Sequence, residues 1–371
     1  HCLGGLEIIR RLGFRYFRRE FERDWTKKAG RVAVGICMNS TLIIAEAGVN
    51  HNGDAARARA LIDAAAQAGA DAVKFQTFRP ELVVTRSAEK AHYQKVQTGS
   101  GQSQHDMLAA LSLDHDVFRE LAQYCVARNI MFLSTPFDAE SAGFLASLGV
   151  PLIKVSSGDL TNLPLLRHIG ALKLPVILST GMATLGEIEA SVDALEQAGA
   201  RRQDITLLHC NTDYPTPWHD VNLRVIDTLR RAFDLPVGYS DHTIGIEIAC
   251  AAVALGATVI EKHFTLDRNL PGPDHKASLE PDELAALVQS IRHIELAMGS
   301  SRKAPTASEL PNRTVARRSL VAARPIKAGE VFGPNNLAAK RAERGLSPML
   351  WDHVVGRVAR RDFAEDEPVE L

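Results

Sequence analysis

The sequence predicts an α/β protein, a (β/α)₈ TIM barrel followed by a small β-rich domain. Short apolar runs rich in β-forming residues alternate with longer segments of helical period from residue 41 to residue 298. Each apolar run ends in polar or charged residues, as the strands of a parallel barrel do where they face an active site. The chain has 371 residues, which leaves room for a barrel of about 250 residues and one further small domain.

Eight pairs of strand and helix account for the barrel. The predicted strands cover residues 42–46, 72–76, 130–134, 152–156, 176–179, 206–209, 237–240 and 258–263. The predicted helices cover residues 55–69, 116–128, 139–148, 163–171, 185–198, 222–233, 245–255 and 281–298. Because a helical segment separates consecutive strands, we expect the strands to run parallel.

A long insertion, residues 79–114, precedes the third strand. Gly, Ser and Gln dominate residues 97–104. Loops of this length without their own secondary structure are usually functional lids or binding loops. We therefore expect a mobile loop over the active face of the barrel.

The pattern changes after residue 298, and short alternating runs at 319–323 and 354–358 indicate a compact β-rich module. The first residues of the chain are basic and aromatic and lack the barrel pattern, and Met38 directly before the first strand is a candidate start. We divide the chain into an N-terminal extension outside the fold, a barrel domain, a linker and the β-rich module, at residues 1–39, 40–298, 299–312 and 313–371.

Composition excludes several classes of protein. Hydrophobic residues make up 46% and charged residues 23% of the chain, which is ordinary for a globular protein. A formal net charge of −1 favours small-molecule partners over nucleic acid or an anionic membrane surface. No apolar run approaches the roughly 18 residues of a membrane span. Five widely spaced cysteines without a CxxC pair indicate free thiols in a reducing compartment, so we expect a cytoplasmic protein.

The polar residues at the predicted strand ends should converge on one face, since parallel strands end together. They include Lys74 and Lys154 and several residues with hydroxyl groups. Ammonium groups and hydroxyls together suit a phosphate where no glycine-rich phosphate loop exists, and this sequence has none. The alternative is that Glu46, Asp159 or Glu261 only neutralises these lysines through ion pairs.

A second pattern indicates a metal ion. His242 and His263 end the seventh and eighth predicted strands, which are neighbours, so both imidazoles can reach one ion. Glu46, Glu261 or Asp274 would be a carboxylate neighbour. Two imidazoles with oxygen ligands suit Mn²⁺, Zn²⁺ or Fe²⁺ acting as a Lewis acid. The alternative is that both histidines are structural.

Eight motifs follow one another along the barrel domain. They are IIAEAGVNHNGD (43–54), AVKFQTF (72–78), FLSTPFD (132–138), IKVSSGDL (153–160), ILSTGMATL (177–185), LLHCNTDYPTP (207–217), GYSDHT (238–243) and EKHFTLDRNLPGPDHKAS (261–278). Together they closely resemble the bacterial N-acetylneuraminate (sialic acid) synthase family, including its legionaminic and pseudaminic acid relatives. The tail, RSLVAARPIKAGEVF (318–332) with AKRAERGLSP (339–348), is similar to that family's SAF module, which resembles type III antifreeze protein.

The resemblance implies condensation of phosphoenolpyruvate with an open-chain N-acetylhexosamine, N-acetylmannosamine first, to give N-acetylneuraminate and phosphate. It implies a divalent metal on His242 and His263, with Mn²⁺ first and Mg²⁺ or Co²⁺ as alternatives. It also implies a domain-swapped homodimer in which the SAF module of one subunit covers the partner's barrel and supplies Arg341.

Site residues are carried over position by position. The candidate catalytic residues are Glu46, Lys74, Lys154, Asp159, Tyr214, Glu261, Asp274 and Arg341. The candidate substrate-binding residues are Gln76, Thr135, Ser157, Ser179, Thr212 and Ser240. Glu46 is the expected base for the water molecule that captures C2 of phosphoenolpyruvate.

Three alternatives stay open at this point. The same chemistry on 2,4-diacetamido-2,4,6-trideoxymannose would give N,N'-diacetyllegionaminate. A Schiff-base aldolase would use Lys154 as its nucleophile. A non-catalytic sugar-binding protein is the third alternative, although the intact set of charged residues and histidines argues against it.

Overall fold

A computed structural model describes residues 40–99, 101–342 and 344–371. The chain divides between Gly299 and Ser300 into two units. The first unit contains the predicted barrel and the second the predicted β-rich module. The extension predicted for residues 1–39 lies outside the described residues.

Eight parallel strands form the barrel, so the predicted fold class is confirmed. They are β1 (Leu42–Gly48), β2 (Ala72–Thr77), β3 (Met131–Pro136), β4 (Ile153–Val155), β5 (Val176–Ser179), β6 (Ile205–Cys210), β7 (Val237–Asp241) and β8 (Val259–His263). Hydrogen bonds join them in the order β3-β2-β1-β8-β7-β6-β5-β4. Strands β3 and β4, at the two ends of this order, contact each other and complete the barrel.

Helices connect the strands as predicted. The connecting helices are α1 (Ala55–Gln67), α5 (His115–Ala127), α6 (Ala139–Leu148), α7 (Leu163–Ala171), α8 (Leu185–Ala198), α9 (Val225–Phe233), α10 (Glu247–Ala254) and α11 (Pro281–Met298). Capping residues begin several of them; Asp54, for example, accepts a hydrogen bond from the Ala56 amide at 2.8 Å. Among the described residues, no helix is both long and apolar enough to cross a lipid bilayer.

The insertion after β2 is not the irregular loop that the sequence predicts. It contains three short helices, α2 (Pro80–Val83), α3 (His92–Thr98) and α4 (Gln104–Leu111). Lys90 is buried, and its Nζ donates to Thr98 Oγ1 at 2.9 Å and to the Gly99 carbonyl at 2.8 Å. These bonds satisfy acceptors at the end of α3, so the described part of the insertion has helical structure and internal contacts of its own.

Successive side chains of β7 and β8 point alternately toward the inside of the barrel and away from it. Asp241 and Lys262 are register partners and are fully buried on the outward side. Lys262 Nζ lies 2.8 Å from Asp241 Oδ2 and donates to the Thr243 carbonyl at 2.6 Å. The other Asp241 oxygen accepts from the Thr243 amide and hydroxyl. This outward pair therefore stabilises the wall of the barrel directly behind His242 and His263.

The second unit has its own small core. Strands β9 (Arg318–Ala322) and β10 (Leu337–Arg341) pair antiparallel, and Leu320, Phe332 and Phe363 are buried beneath them. Two short helices accompany them, α12 (Leu310–Ala316) and α13 (Trp351–Val354).

Two local expectations for this unit differ from the structure. Helix α12 begins inside the segment predicted as a linker. The run predicted at residues 354–358 is not a full strand, because Val354 ends α13 and Val358 makes a single bridge to Val331. Short apolar runs do not distinguish a strand from a bridge, since both have the same local pattern.

We predict that Lys262→Met lowers the free energy of unfolding by about 3–5 kcal/mol, because Asp241 would stay buried without its counter-ion. Urea denaturation followed by circular dichroism measures the loss. Lys95→Met is the matched control, since its ion pair with Glu89 is exposed and should contribute less than about 1 kcal/mol. Equal, small losses in both variants would mean that the outward pair contributes no stability.

Candidate active site

One cavity of about 420 Å³ lies at the carboxyl ends of the barrel strands. Most of the residues predicted for the site line it, and every one of the eight strands or the loop that follows it contributes. The predicted residues in its lining are Glu46, Lys74, Gln76, Thr135, Lys154, Ser157, Ser179, Thr212, Tyr214, Ser240, His242, Glu261, His263 and Asp274. Residues from all eight motifs are thus brought into one concave site.

Four buried charges form the floor of this cavity. Glu46, Lys74, Lys154 and Glu261 are each no more than 4% exposed. Lys74 Nζ lies 2.8 Å from Glu46 Oε2 and 3.5 Å from Glu261 Oε1, and it donates to Thr135 Oγ1 at 2.9 Å. Lys154 Nζ lies 3.7 Å from Glu261 Oε1. Two carboxylates therefore balance two ammonium groups in a buried environment.

The two carboxyl groups of this floor differ in acidity. Burial raises the pKa of Glu46 to about 7, although Lys74 acts in the opposite direction. Burial also disfavours the charged form of Glu261, but Lys154 and Lys74 together lower its pKa to about 2. Burial lowers the pKa of Lys154. Glu46 is thus the group that can exchange a proton near neutral pH, whereas Glu261 remains a fixed negative charge.

Hydroxyl groups surround the charged floor. Ser240 Oγ donates to Glu261 Oε1 at 3.3 Å. Ser157 Oγ accepts from the Gly181 amide at 3.0 Å and lies 3.2 Å from Cys210 Sγ. Ser179 is buried and lines the cavity. These hydroxyls supply directed hydrogen-bond donors beside two cations, which is the combination that an oxyanion ligand requires.

Gly48 permits the close approach of β1 to the rest of the site. The register between β1 and β2 shifts between Glu46 and Gly48, and Gly48 has a φ of 51°. A Cβ atom there would lie 3.3 Å from Glu46 Oε1 and 3.4 Å from His263 Cε1. Since this left-handed conformation favours glycine, the shift in register depends on it.

His242 and His263 lie side by side at the ends of β7 and β8, with ring centroids 5.5 Å apart. The Asn211 carbonyl lies 2.5 Å from His242 Nδ1. Because a carbonyl oxygen only accepts, Nδ1 carries the proton and Nε2 presents a lone pair. Burial lowers the pKa of His242 to about 4, and burial together with His242 lowers the pKa of His263. Both imidazoles are therefore neutral at physiological pH.

These two imidazoles fit a divalent metal. His263 Nδ1 is buried and has no hydrogen-bond partner. The carbonyl bonded to His242 is the kind of outer partner that orients a ligating histidine. Over the described ranges, no three His, Cys, Asp or Glu side chains form a group that could hold a metal by themselves. The protein would thus supply two nitrogen ligands, and the other positions would be left for water or substrate.

Tyr214 and Asp274 enter the cavity from the loops after β6 and β8. The Tyr214 ring lies 4.1 Å from that of His242 and stacks on Tyr93 of the insertion at 5.0 Å. Asp274 is buried, and burial raises its pKa to about 6. Asn50 holds this second loop, because its amide donates to the Phe264 carbonyl at 2.8 Å and to Ser278 Oγ at 3.0 Å.

Two predicted site residues are not in the cavity lining. Asp159 accepts hydrogen bonds from Ser156 Oγ at 2.6 Å and Asn162 Nδ2 at 3.2 Å, so its carboxylate stabilises the turn after β4. The sequence placed it beyond a strand end but could not show which way its side chain points. Arg341 belongs to the second unit, where it is exposed at the end of β10.

One side of the cavity, an apolar wall formed largely by the insertion, was not predicted from the sequence. The residues of this apolar wall are Val49, Phe78, Val83, Met107, Leu108, Leu111 and Phe137. They form a cluster separate from the main barrel core. The helical spacing of Met107, Leu108 and Leu111 was the available signal, since it is typical of an amphipathic helix.

Fold and site together define a barrel enzyme whose active-site cavity lies at the carboxyl ends of its strands. Residues 61–303 match the model of the NeuB family, and residues 317–370 match that of the SAF domain. The chain belongs to the NeuB family, as its motifs implied, and is an enzyme of the sialic acid and legionaminic acid synthase type. The alternative of a non-catalytic sugar-binding protein is therefore wrong.

Two relatives and one solved structure are particularly similar. An N,N'-diacetyllegionaminic acid synthase of Campylobacter jejuni is 52% identical over 330 residues, 89% of this chain and 99% of the relative. An N,N'-diacetyllegionaminic acid synthase of Legionella pneumophila is 46% identical over 85% of this chain and 89% of its own. The crystal structure of an N-acetylneuraminic acid synthetase from Leptospira borgpetersenii is 37% identical, with a TM-score of 0.65 over 74% of this chain and 90% of its own.

We predict that Glu46→Gln strengthens binding of inorganic phosphate at least about tenfold, because it removes a negative charge beside Lys74 and keeps the side chain's shape. Titration calorimetry at a pH above 7 measures this, since Glu46 is then ionised in the wild type. Glu81→Gln is the control, because Glu81 is exposed and pairs with Arg79 outside the floor. Unchanged or weaker binding in Glu46→Gln would show that phosphate does not bind at these lysines.

Proposed function

We propose that this protein condenses phosphoenolpyruvate with 2,4-diacetamido-2,4,6-trideoxymannose to give N,N'-diacetyllegionaminate and phosphate. The family resemblance of the motifs implies N-acetylmannosamine first and this sugar second. Two relatives at 52% and 46% identity are diacetyllegionaminic acid synthases, whereas the sialic acid synthetase of known structure is 37% identical. These identities favour the second sugar.

The observation that carries the proposal is the buried floor beside two neutral imidazoles. Lys74 and Lys154 would hold the phosphate and carboxylate groups of phosphoenolpyruvate, with hydrogen bonds from Thr135, Ser157 and Ser179. Glu46 and Glu261 lie beside these lysines, so the protein itself compensates the two positive charges. When phosphoenolpyruvate binds, its negative groups would replace part of the pairing between these lysines and the two glutamates.

His242 and His263 would hold the divalent metal, Mn²⁺ first with Mg²⁺ or Co²⁺ as alternatives, and its chemistry would be polarisation of the sugar's aldehyde oxygen. Carbon–carbon bond formation then joins C3 of phosphoenolpyruvate to the aldehyde carbon. The Tyr214 ring lies between those of His242 and Tyr93. Contact with this ring would limit the position of the sugar.

Glu46 would complete the reaction as a general base. Addition at C3 leaves C2 electron-poor, and a water molecule must lose a proton as it bonds to C2. Glu46 has its pKa raised to about 7 by burial, which suits proton acceptance at neutral pH. Loss of phosphate from the resulting C2 centre gives the product.

We predict that the protein releases phosphate from phosphoenolpyruvate fastest with the diacetamido sugar, more slowly with N-acetylmannosamine and not without sugar. Treatment with EDTA should abolish release, and Mn²⁺ should restore it. A steady-state assay of phosphate release measures the rate of each of these reactions. Faster release with N-acetylmannosamine would move the assignment to a neuraminate synthase, and release unaffected by EDTA would overturn the metal proposal.

We further propose a domain-swapped homodimer in which Arg341 of one subunit completes the partner's site. Its exposure at the end of β10 is compatible with this role. Glu46→Gln and Arg341→Ala should each be inactive alone, but co-expressed subunits should regain activity, because one site of each mixed dimer has both residues. A mixture as inactive as its components would show that Arg341 does not act between subunits; an active Arg341→Ala would show that it is dispensable.

A further inference from the structure

The cavity has two chemically different sides, and the reacting groups need only its polar side, which is the floor with the hydroxyls and imidazoles around it. Along β2, Gln76 contacts Glu46 of the floor, and Phe78 two residues later belongs to the apolar wall. Along β3, Thr135 contacts Lys74 of the floor, and Phe137 two residues later belongs to the apolar wall. Two residues of strand correspond to about 6.6 Å of rise toward the carboxyl end. The apolar wall therefore lies nearer the mouth than the floor does.

The apolar wall is an ordered surface. The rings of Phe78 and Phe137 pack edge to face with centroids 6.0 Å apart. Val83 and Leu108 come from the insertion and are partly buried against them. The Arg79 amide donates to Asp138 Oδ2 at 3.1 Å, which ties the start of the insertion to the loop after β3. The wall is thus held in place by contacts within the protein itself, as the walls of preformed apolar pockets are.

A sugar in this cavity has a fixed direction if the proposed function holds. Its aldehyde carbon must reach phosphoenolpyruvate on the floor, so its C4 to C6 end extends toward the mouth. The two candidate sugars are identical at C1 and C2 and differ only at that end. N-acetylmannosamine has hydroxyls at C4 and C6, whereas the diacetamido sugar has an acetamido group at C4 and a methyl group at C6.

The geometry points to the apolar wall as the subsite that selects the sugar, by accepting the C6 methyl group of a 6-deoxy substrate. This inference rests on the proposed function and deepens it. A C6 hydroxyl against Val83, Leu108 and the two phenylalanine rings would lose its water without gaining a hydrogen-bond partner. A methyl group there would be buried in favourable apolar contact. The selection would therefore act at a distance from the reacting carbon.

Three sugars separate the contribution of C6 from that of C4. They are N-acetylmannosamine, its 6-deoxy analogue and the diacetamido sugar, each assayed for phosphate release with Mn²⁺-loaded full-length protein. The first two differ only in the C6 hydroxyl. We expect the wild type to prefer the 6-deoxy analogue roughly tenfold in kcat/KM, the usual effect of one such group in an apolar pocket.

Two variants test the wall itself. Leu108→Gln places a polar group in it, and Val83→Thr adds a hydroxyl with almost no change in shape, so that a folded variant is available if the first is unstable. In both variants, the ratio of kcat/KM for the 6-deoxy analogue to kcat/KM for N-acetylmannosamine should fall toward one, while phosphate release persists. Ala109→Gln is the matched control, because Ala109 is exposed on α4, the helix that carries Leu108, and this variant should keep the wild-type ratio.

The outcomes are distinguishable. A wild type that uses both sugars equally, or folded variants that keep the wild-type ratio, would overturn the subsite and leave the proposed function intact. A wild type that releases phosphate with none of the three sugars would overturn the proposed function and the subsite with it. A shifted ratio in both variants, with the control unchanged, supports the subsite.

Discussion

The compensation of four buried charges is the interaction on which the rest of this structure depends. Glu46, Lys74, Lys154 and Glu261 come from four different strands, and a single one of these charges would be strongly disfavoured at such burial. Lys74 lies between the two carboxylates, at 2.8 Å from Glu46 and 3.5 Å from Glu261. The compensation requires all four strand ends to be in register, so the barrel and the site stabilise each other.

The barrel also uses its two faces differently. Inward side chains of β7 and β8 present Ser240, His242, Glu261 and His263 to the cavity, while the alternate residues form the outward pair of Asp241 and Lys262. A strand can carry both functions because successive side chains point to opposite sides. The histidines that line the cavity are thus supported from behind by a buried ion pair that is not part of the cavity lining.

Much of this could be predicted from the sequence, for local reasons. The bounds of α6, α7, α8 and α11 match the prediction because their caps are encoded beside them; Thr184 and Glu187, for instance, form a reciprocal capping box. The convergence of the lysines and histidines follows from the parallel arrangement of strands alone. The insertion was mispredicted because its three helices are short and depend on contacts such as those of Lys90.

The sequence by itself determined the barrel, the order of its elements, the family and most of the chemical groups in the cavity, because strand period, caps and motifs are local properties. Only the tertiary structure decided which charges pair, that Asp159 turns toward Ser156 and Asn162, and that an apolar wall covers one side of the cavity. Those outcomes depend on side-chain direction and on contacts between segments far apart in the chain. A periodic pattern such as that of Met107, Leu108 and Leu111 can indicate the apolar face of a helix, but it does not indicate which distant segment that face will contact.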